Sequence, residues 1–133
     1  MLSDYAPSPT LAVSDVDRAR AFYEGVLGFV ENTDDSVPDG VVYSAGDESF
    51  LVYASDFAGT NQATAMSFQV PEGEFDAEIA KLRDNGITFQ TFETDEDTVW
   101  ADGIATMGDM RSVWFTDPDG NILNIETSSI EVV

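Results

Sequence analysis

The sequence predicts an α+β fold: two βαβββ modules made by internal duplication, whose half-open sheets face one another to form a β-cup. Three observations carry this. Strand-like runs alternate with two amphipathic helical stretches along 133 residues. The order strand, helix, strands occurs twice. Matching residues recur, with Val13 answering to Val70 and Gly28 to Gly86, the second spacing being one residue longer. That difference places a single insertion at the second strand–helix junction. No linker or shift of composition separates the halves, so residues 1–133 read as one domain, with module 1 over about 6–57 and module 2 over about 62–130.

The elements follow in order. Residues 8–13 form a short strand after prolines, and Ser14 or Asp15 can cap the helix that follows. Val16, Ala19, Phe22, Tyr23, Val26 and Leu27 recur at three- and four-residue spacing and give that helix one apolar stripe. Arg20 and Glu24 form an i,i+4 pair on it, and Gly28 ends it in the left-handed conformation. Strands are expected at 29–32, 40–44 and 49–54, with Asp39-Gly40 and Gly46-Asp47 as turns. After a polar connection over 55–62 the pattern restarts. A strand at 65–70 leads to a helix at 72–85 with Phe75, Ile79 and Leu82 inward, closed by Gly86. Residues 87–92, 103–107, 110–116 and 122–127 are then strand-like, and Asp117-Pro118-Asp119-Gly120-Asn121 makes the last sharp turn.

Composition sets limits on function. The chain has 26 Asp+Glu against 5 Lys+Arg, no His and no Cys, for a net charge of −21, yet 43% of it is hydrophobic. The apolar fraction is too high for an acidic disordered tail. So few cations leave no ordinary nucleic-acid or anionic-membrane partner, since both need Lys and Arg to displace counterions. Without Cys or His there is no thiolate nucleophile, Ser-His-Asp triad or imidazole ligand. The acids are scattered rather than gathered on one segment. At about 1 M salt the Debye length falls to about 3 Å and quenches their repulsion, so the charge reads as adaptation to a salty solvent. Met1-Leu2-Ser3-Asp4-Tyr5 has no basic leader region and no apolar run is long enough to span a bilayer, so the chain is expected to be cytoplasmic.

Residues 11–29, from Leu11-Ala12-Val13-Ser14-Asp15 to Gly28-Phe29, resemble the opening of the vicinal oxygen chelate superfamily, which includes glyoxalase I, bleomycin resistance proteins and extradiol dioxygenases. Val113-Trp114-Phe115-Thr116-Asp117-Pro118-Asp119-Gly120-Asn121-Ile122-Leu123 resembles its closing motif. The resemblance implies paired modules, a concave site for a small molecule and commonly a homodimer. It also implies a divalent ion held by His, Gln or Glu from both modules. Counted from the motifs, those positions fall at Ser8, Ala65, Asn124 and either Leu51 or Tyr53. These side chains cannot hold a divalent cation, and a one-pair slip that brought in Glu126 would supply a single carboxylate. The expectation is a protein without metal or other cofactor that binds a small molecule, as the bleomycin-resistance branch does. The alternative is a glyoxalase- or dioxygenase-like metalloenzyme with relocated carboxylate ligands.

Candidate residues follow from alternation and chemistry. Trp100, Trp114, Phe115, Tyr53 and Phe50 can line a flat aromatic site or pack in the core. Arg111 is either an anchor for a ligand carboxylate or the partner of an acid such as Glu126. Tyr53, Ser67, Gln69 and Asn124 are polar groups on apolar strands that satisfy one another or read a ligand. Which face of the strand at 110–116 lines the cup is open. The cup-lining set is Ser8, Thr10, Leu51, Tyr53, Ala65, Ser67, Trp100, Arg111, Trp114, Asn124 and Glu126; no catalytic residue is assigned. Asp117, Asp119 and Asn121 only superficially resemble the start of an EF-hand loop, because the glycine falls two residues early. A hairpin turn is the favoured reading there.

Overall fold

The computed structural model describes residues 1–35 and 37–128. The chain is α+β, with two sheets and few helices. It divides into two compact units: Met1–Ala65 with Asp117–Asn121, and Met66–Thr116 with the chain from Ile122 onward. The module boundary expected near 130 lies outside the described residues.

The first unit carries a four-stranded sheet in the order β1-β4-β3-β2, formed by β1 (Thr10–Val13), β2 (Val30–Glu31), β3 (Gly40–Ala45) and β4 (Glu48–Ala54). β1 runs parallel to β4, pairing Thr10 with Leu51 and Ala12 with Tyr53. Between β1 and β2 the chain makes α1 (Val16–Arg20) and then a π-helical turn, Ala21–Val26, closed by Leu27 N–H on the Phe22 carbonyl at 3.0 Å. Asp15 caps α1, its carboxylate accepting from the N–H groups of Asp17 (2.9 Å) and Arg18 (3.2 Å). Gly28 leaves the turn at φ +80°, a conformation that L side chains rarely adopt. The apolar stripe does what its spacing requires. Ala19 and Tyr23 are buried with Leu11, Val13, Val41, Tyr43, Phe50 and Val52, all from one face of the sheet. Alternation leaves Thr10, Ala12, Leu51 and Tyr53 on the other face.

The second sheet has the order β5-β9-β8-β7-β6, from β5 (Thr64–Pro71), β6 (Thr98–Ala101), β7 (Ile104–Met107), β8 (Met110–Thr116) and β9 (Ile122–Ser128). The same logic recurs, since the strand before the helix lies beside the last strand of its sheet, as β1 lies beside β4. A 3-10 turn, Glu72–Glu74, leads into α2 (Phe75–Asp84), which buries Phe75, Ile79 and Leu82. Val113, Phe115, Leu123 and Ile125 complete that core.

Two expectations are corrected. Residues 87–92 form no strand; β7 pairs only with the start of β8, and beyond it this segment reaches β8 through Gln90 N–H on the Trp114 carbonyl at 2.8 Å. The strand that the sequence did not single out is β6, which forms a hairpin with β7 through Asp102 and Gly103 and extends the second sheet to five strands.

Candidate functional site

The first unit contains a cavity of about 250 Å³ on the open face of its sheet. β1 and β4 contribute Thr10, Leu11, Ala12 and Tyr53, the loop after β4 contributes Phe57, Gly59, Thr60 and Asn61, and Ala65 and Asn121 complete the wall. The loop is fastened to itself. Thr60 Oγ1 donates to the Phe57 carbonyl (2.8 Å), and Phe57 N–H donates to Ser55 Oγ (3.1 Å). Asn61 Nδ2 donates to the Ala63 carbonyl (2.9 Å), while its Oδ1 accepts from Ala63 N–H (3.1 Å).

Asn121 is held from below by a buried network. Its Nδ2 donates to the Ala12 carbonyl and to Asp117 Oδ2, both at 2.8 Å. Asp117 Oδ2 also accepts from the Tyr23 hydroxyl (2.8 Å), and its Oδ1 accepts from the N–H groups of Asp119 and Asn121, both at 2.9 Å. Tyr23 is fully buried. Burial, with the Asp117 carboxylate beside it, pushes its hydroxyl far above the usual tyrosine range. Burial does the same to Tyr43, whose hydroxyl donates to Glu24 Oε2 at 2.9 Å. Asp119 Oδ1 accepts from Ser14 Oγ (2.7 Å), Ser14 N–H (3.1 Å) and the Arg18 guanidinium (2.9 Å). The other oxygen of Asp119 is buried with no partner among the described residues. Arg20 bridges Glu24 (3.2 Å) and Glu31 (3.1 Å), and the hydrogen bonds it donates to Glu31 raise its pKa.

In the second unit, register settles the face of β8. Trp114 pairs with Asn124 and Ser112 with Glu126, so 110, 112, 114 and 116 share a face with Asn124 and Glu126. Trp100 and Trp114 lie 6.0 Å apart, with Phe92 edge-on to both at 5.3 and 4.8 Å. Trp100 Nε1 donates to Thr94 Oγ1 at 3.0 Å. Gln69 Nε2 donates to Glu126 Oε1 at 3.4 Å, and Ser67 is exposed on β5.

Arg111 lies apart from the cavity-lining candidates. It points to the helix side of the sheet, where it pairs with Asp76 (2.8 Å) and Glu72 (3.0 Å) rather than Glu126. Its guanidinium lies 4.6 Å from the centre of the Phe75 ring, and the Asp76 hydrogen bond raises its pKa. Of the remaining candidates, Thr10, Tyr53 and Ala65 meet at the first unit's cavity, and Leu51 shares their face. Ser8 lies just before β1, its hydroxyl donating to the Ser49 carbonyl at 3.2 Å. Sequence reasoning did not select Ala12, Phe57, Thr60, Asn61, Asn121 or Phe92. Ala12 was accessible from strand alternation with Thr10, and Asn121 from its place in the closing motif; the loop residues carry no such signal.

The divalent ion implied by the resemblance does not fit the residues present. Ala65 and Leu51 offer no donor atom. The Asn124 amide is buried and donates to the Val113 carbonyl at 3.1 Å, and the Ser8 hydroxyl is engaged with backbone. Among the described residues, no three His, Cys, Asp or Glu side chains gather where an ion could be held. Nor is any described helix long and apolar enough to cross a membrane.

A family model described as the glyoxalase/bleomycin resistance protein/dioxygenase superfamily matches residues 6–125. A glyoxalase/bleomycin resistance protein/dioxygenase from Alicyclobacillus acidocaldarius superposes with a TM-score of 0.70 at 16% identity, covering 96% of this chain and 93% of that one. The fosfomycin resistance protein FosX from Listeria monocytogenes, in a hexagonal crystal form, gives 0.69 at 16% identity, with 95% and 94% covered. A lactoylglutathione lyase from Agrobacterium tumefaciens gives 0.64 at 18%, with 93% of each chain covered. At these identities the likeness extends to the fold alone. No curated protein sequence matches the chain.

Proposed function

The chain belongs to the glyoxalase/bleomycin resistance protein/dioxygenase superfamily, and from that premise we propose that it binds a small molecule in the first unit's cavity without a bound metal, sequestering rather than transforming it. The observation that carries this reading is the cavity itself: about 250 Å³, walled by aromatic and small apolar side chains with a few neutral polar groups. That is the make-up of a ligand site. The donor chemistry at Ser8, Leu51, Ala65 and Asn124 supports the metal-free part. A thermal-shift screen of small molecules in high KCl, with and without divalent metals, tests it. Ligands that raise the melting point equally in both conditions are expected. A response that requires metal, with one stoichiometric transition metal per chain by elemental analysis, would overturn it in favour of a metalloenzyme. The contact between Gln69 and Glu126, two oxygen-bearing side chains on adjacent strands, is what that second reading rests on.

The net charge of −21 supports a salt-adapted, cytoplasmic protein. Its melting point should rise from low to molar KCl as repulsion is screened; a midpoint that stays flat or falls sinks that part. Homodimer formation, common in the superfamily, is checked by light scattering in high salt, where a monomer at micromolar concentration would refute it.

A further inference from the structure

We infer that the first unit's cavity selects a single-ring aromatic hydrogen-bond donor that carries no negative charge, an inference that rests on the small-molecule reading above. The cavity sets the size. About 250 Å³ lies just under the roughly 300–1,000 Å³ of drug-sized sites, enough for one ring and a short polar substituent. Tyr53 and Phe57, 37% and 77% exposed, offer ring faces for stacking or for a cation.

Charge and hydrogen bonding then choose among ring compounds. The chain has 26 acidic and 5 basic side chains, yet none of the side chains lining the cavity is charged. An anionic ligand would meet no cation in the wall and a strongly negative field around it. Asn121 lines the cavity, and its amide is the most tightly fixed polar group there. Both hydrogens of the Asn121 amide go to acceptors, the Ala12 carbonyl and Asp117 Oδ2, so the amide cannot turn over without setting oxygen against oxygen. Its Oδ1 is therefore held as an acceptor, at a residue only 5% exposed, with no donor to it among the described residues. An acceptor held in this way is completed by a donor, an N–H or an O–H of the ligand, whereas a carboxylate there is repelled at contact distance. Thr60 and Asn61 are engaged within their own loop, and the hydroxyls of Thr10 and Tyr53, which also line the cavity, can either donate or accept, so the preference against negative charge rests on Asn121 and the surrounding field.

Three probes of one size test the inference: benzylammonium, benzamide and benzoate, titrated against the full chain by ligand-observed NMR at 0.2 M and 3 M KCl. Benzylammonium and benzamide are expected to bind, with benzoate at least tenfold weaker at both salt concentrations, because the contact with Asn121 survives screening. Tyr53→Ala and Phe57→Ala, each altering an exposed ring, should weaken the two binders at least threefold while the melting point holds. Benzoate binding as well as the others at 3 M KCl would overturn the ligand class and leave the binding function standing. Failure of all three, together with no hit in the wider thermal-shift screen, would remove both.

Discussion

In the first unit, the helical segment is fastened through the buried Tyr23 hydroxyl, which reaches Asp117 in the β8–β9 turn; that carboxylate accepts four hydrogen bonds and is 4% exposed. In the second unit, the helix is fastened by Arg111, which reaches Glu72 and Asp76 from β8 while both carboxylates remain open to water. The open faces differ as well. One holds a cavity with a fixed acceptor, the other a cluster of Phe92, Trp100 and Trp114. A duplicated plan has thus kept its strand order and diverged in what locks it. A buried carboxylate with every donor matched is intolerant of change and indifferent to salt, whereas an exposed ion pair is weak and screened.

The largest effect should come from Asp117→Ala. It strands the Tyr23 hydroxyl and the N–H groups of Asp119 and Asn121, and frees one amide hydrogen of Asn121. Each buried donor left unpaired costs about 1–3 kcal/mol, so a loss of about 3–5 kcal/mol is expected. Urea denaturation in high KCl measures it; a loss below 1 kcal/mol would mean that the turn tolerates water and the contrast between the units is false.

Alkaline pH should come next, and it should act on one unit. All 4 tyrosines lie in the first 65 residues, and Tyr23 and Tyr43 are buried with their pKa values raised from 10.0. Below pH 10 both states keep these protons and the full stability is present. Above pH 10 the unfolded chain releases them and the folded chain does not. Stability therefore falls as pH rises, by about 1.4 kcal/mol per pH unit for each tyrosine. Tyr23→Phe and Tyr43→Phe should each remove one share of the slope. Hydrogen exchange at pH 11 should show the first unit opening first, and equal opening of both units would count against the assignment.

How much of this was legible in the sequence depends on the range of the interaction. Asp15 as a cap, Gly28 and Gly86 as helix exits, and the alternating strands were readable because each is decided by neighbours within a turn or two. Residues 87–92 looked like a strand, but a strand also needs a free edge along its length, and that is a property of the sheet. β6 was obscured by the acidic run Asp95-Glu96-Asp97 beside it. Arg111 was narrowed to a ligand anchor or an ion pair; only the register of β8 on β9 could show that odd-numbered residues face α2. The cavity was half visible, through Thr10, Tyr53 and Ala65. Asn121 stands in a recognisable turn motif, but the long-range bond that orients its amide, to Ala12, has no sequence signature.

Arg111→Met offers the smallest and most discriminating test. Methionine keeps an unbranched apolar side chain at this position and removes the charge that lies over the Phe75 ring and is shared between Glu72 and Asp76. Those partners are 59% and 79% exposed, so solvent already weakens the attraction, and the loss in dilute salt should be about 0.5–1 kcal/mol. In 3 M KCl it should shrink toward zero, because the Debye length there is shorter than the distances between the charges. The cost of Asp117→Ala, being one of unpaired buried donors, should hardly change across the same salt series. Paired urea titrations of the two variants therefore give a salt-dependent cost for one and a salt-independent cost for the other. If both respond alike, the two units are locked by the same kind of force, and the distinction between a buried and an exposed fastening has no energetic content.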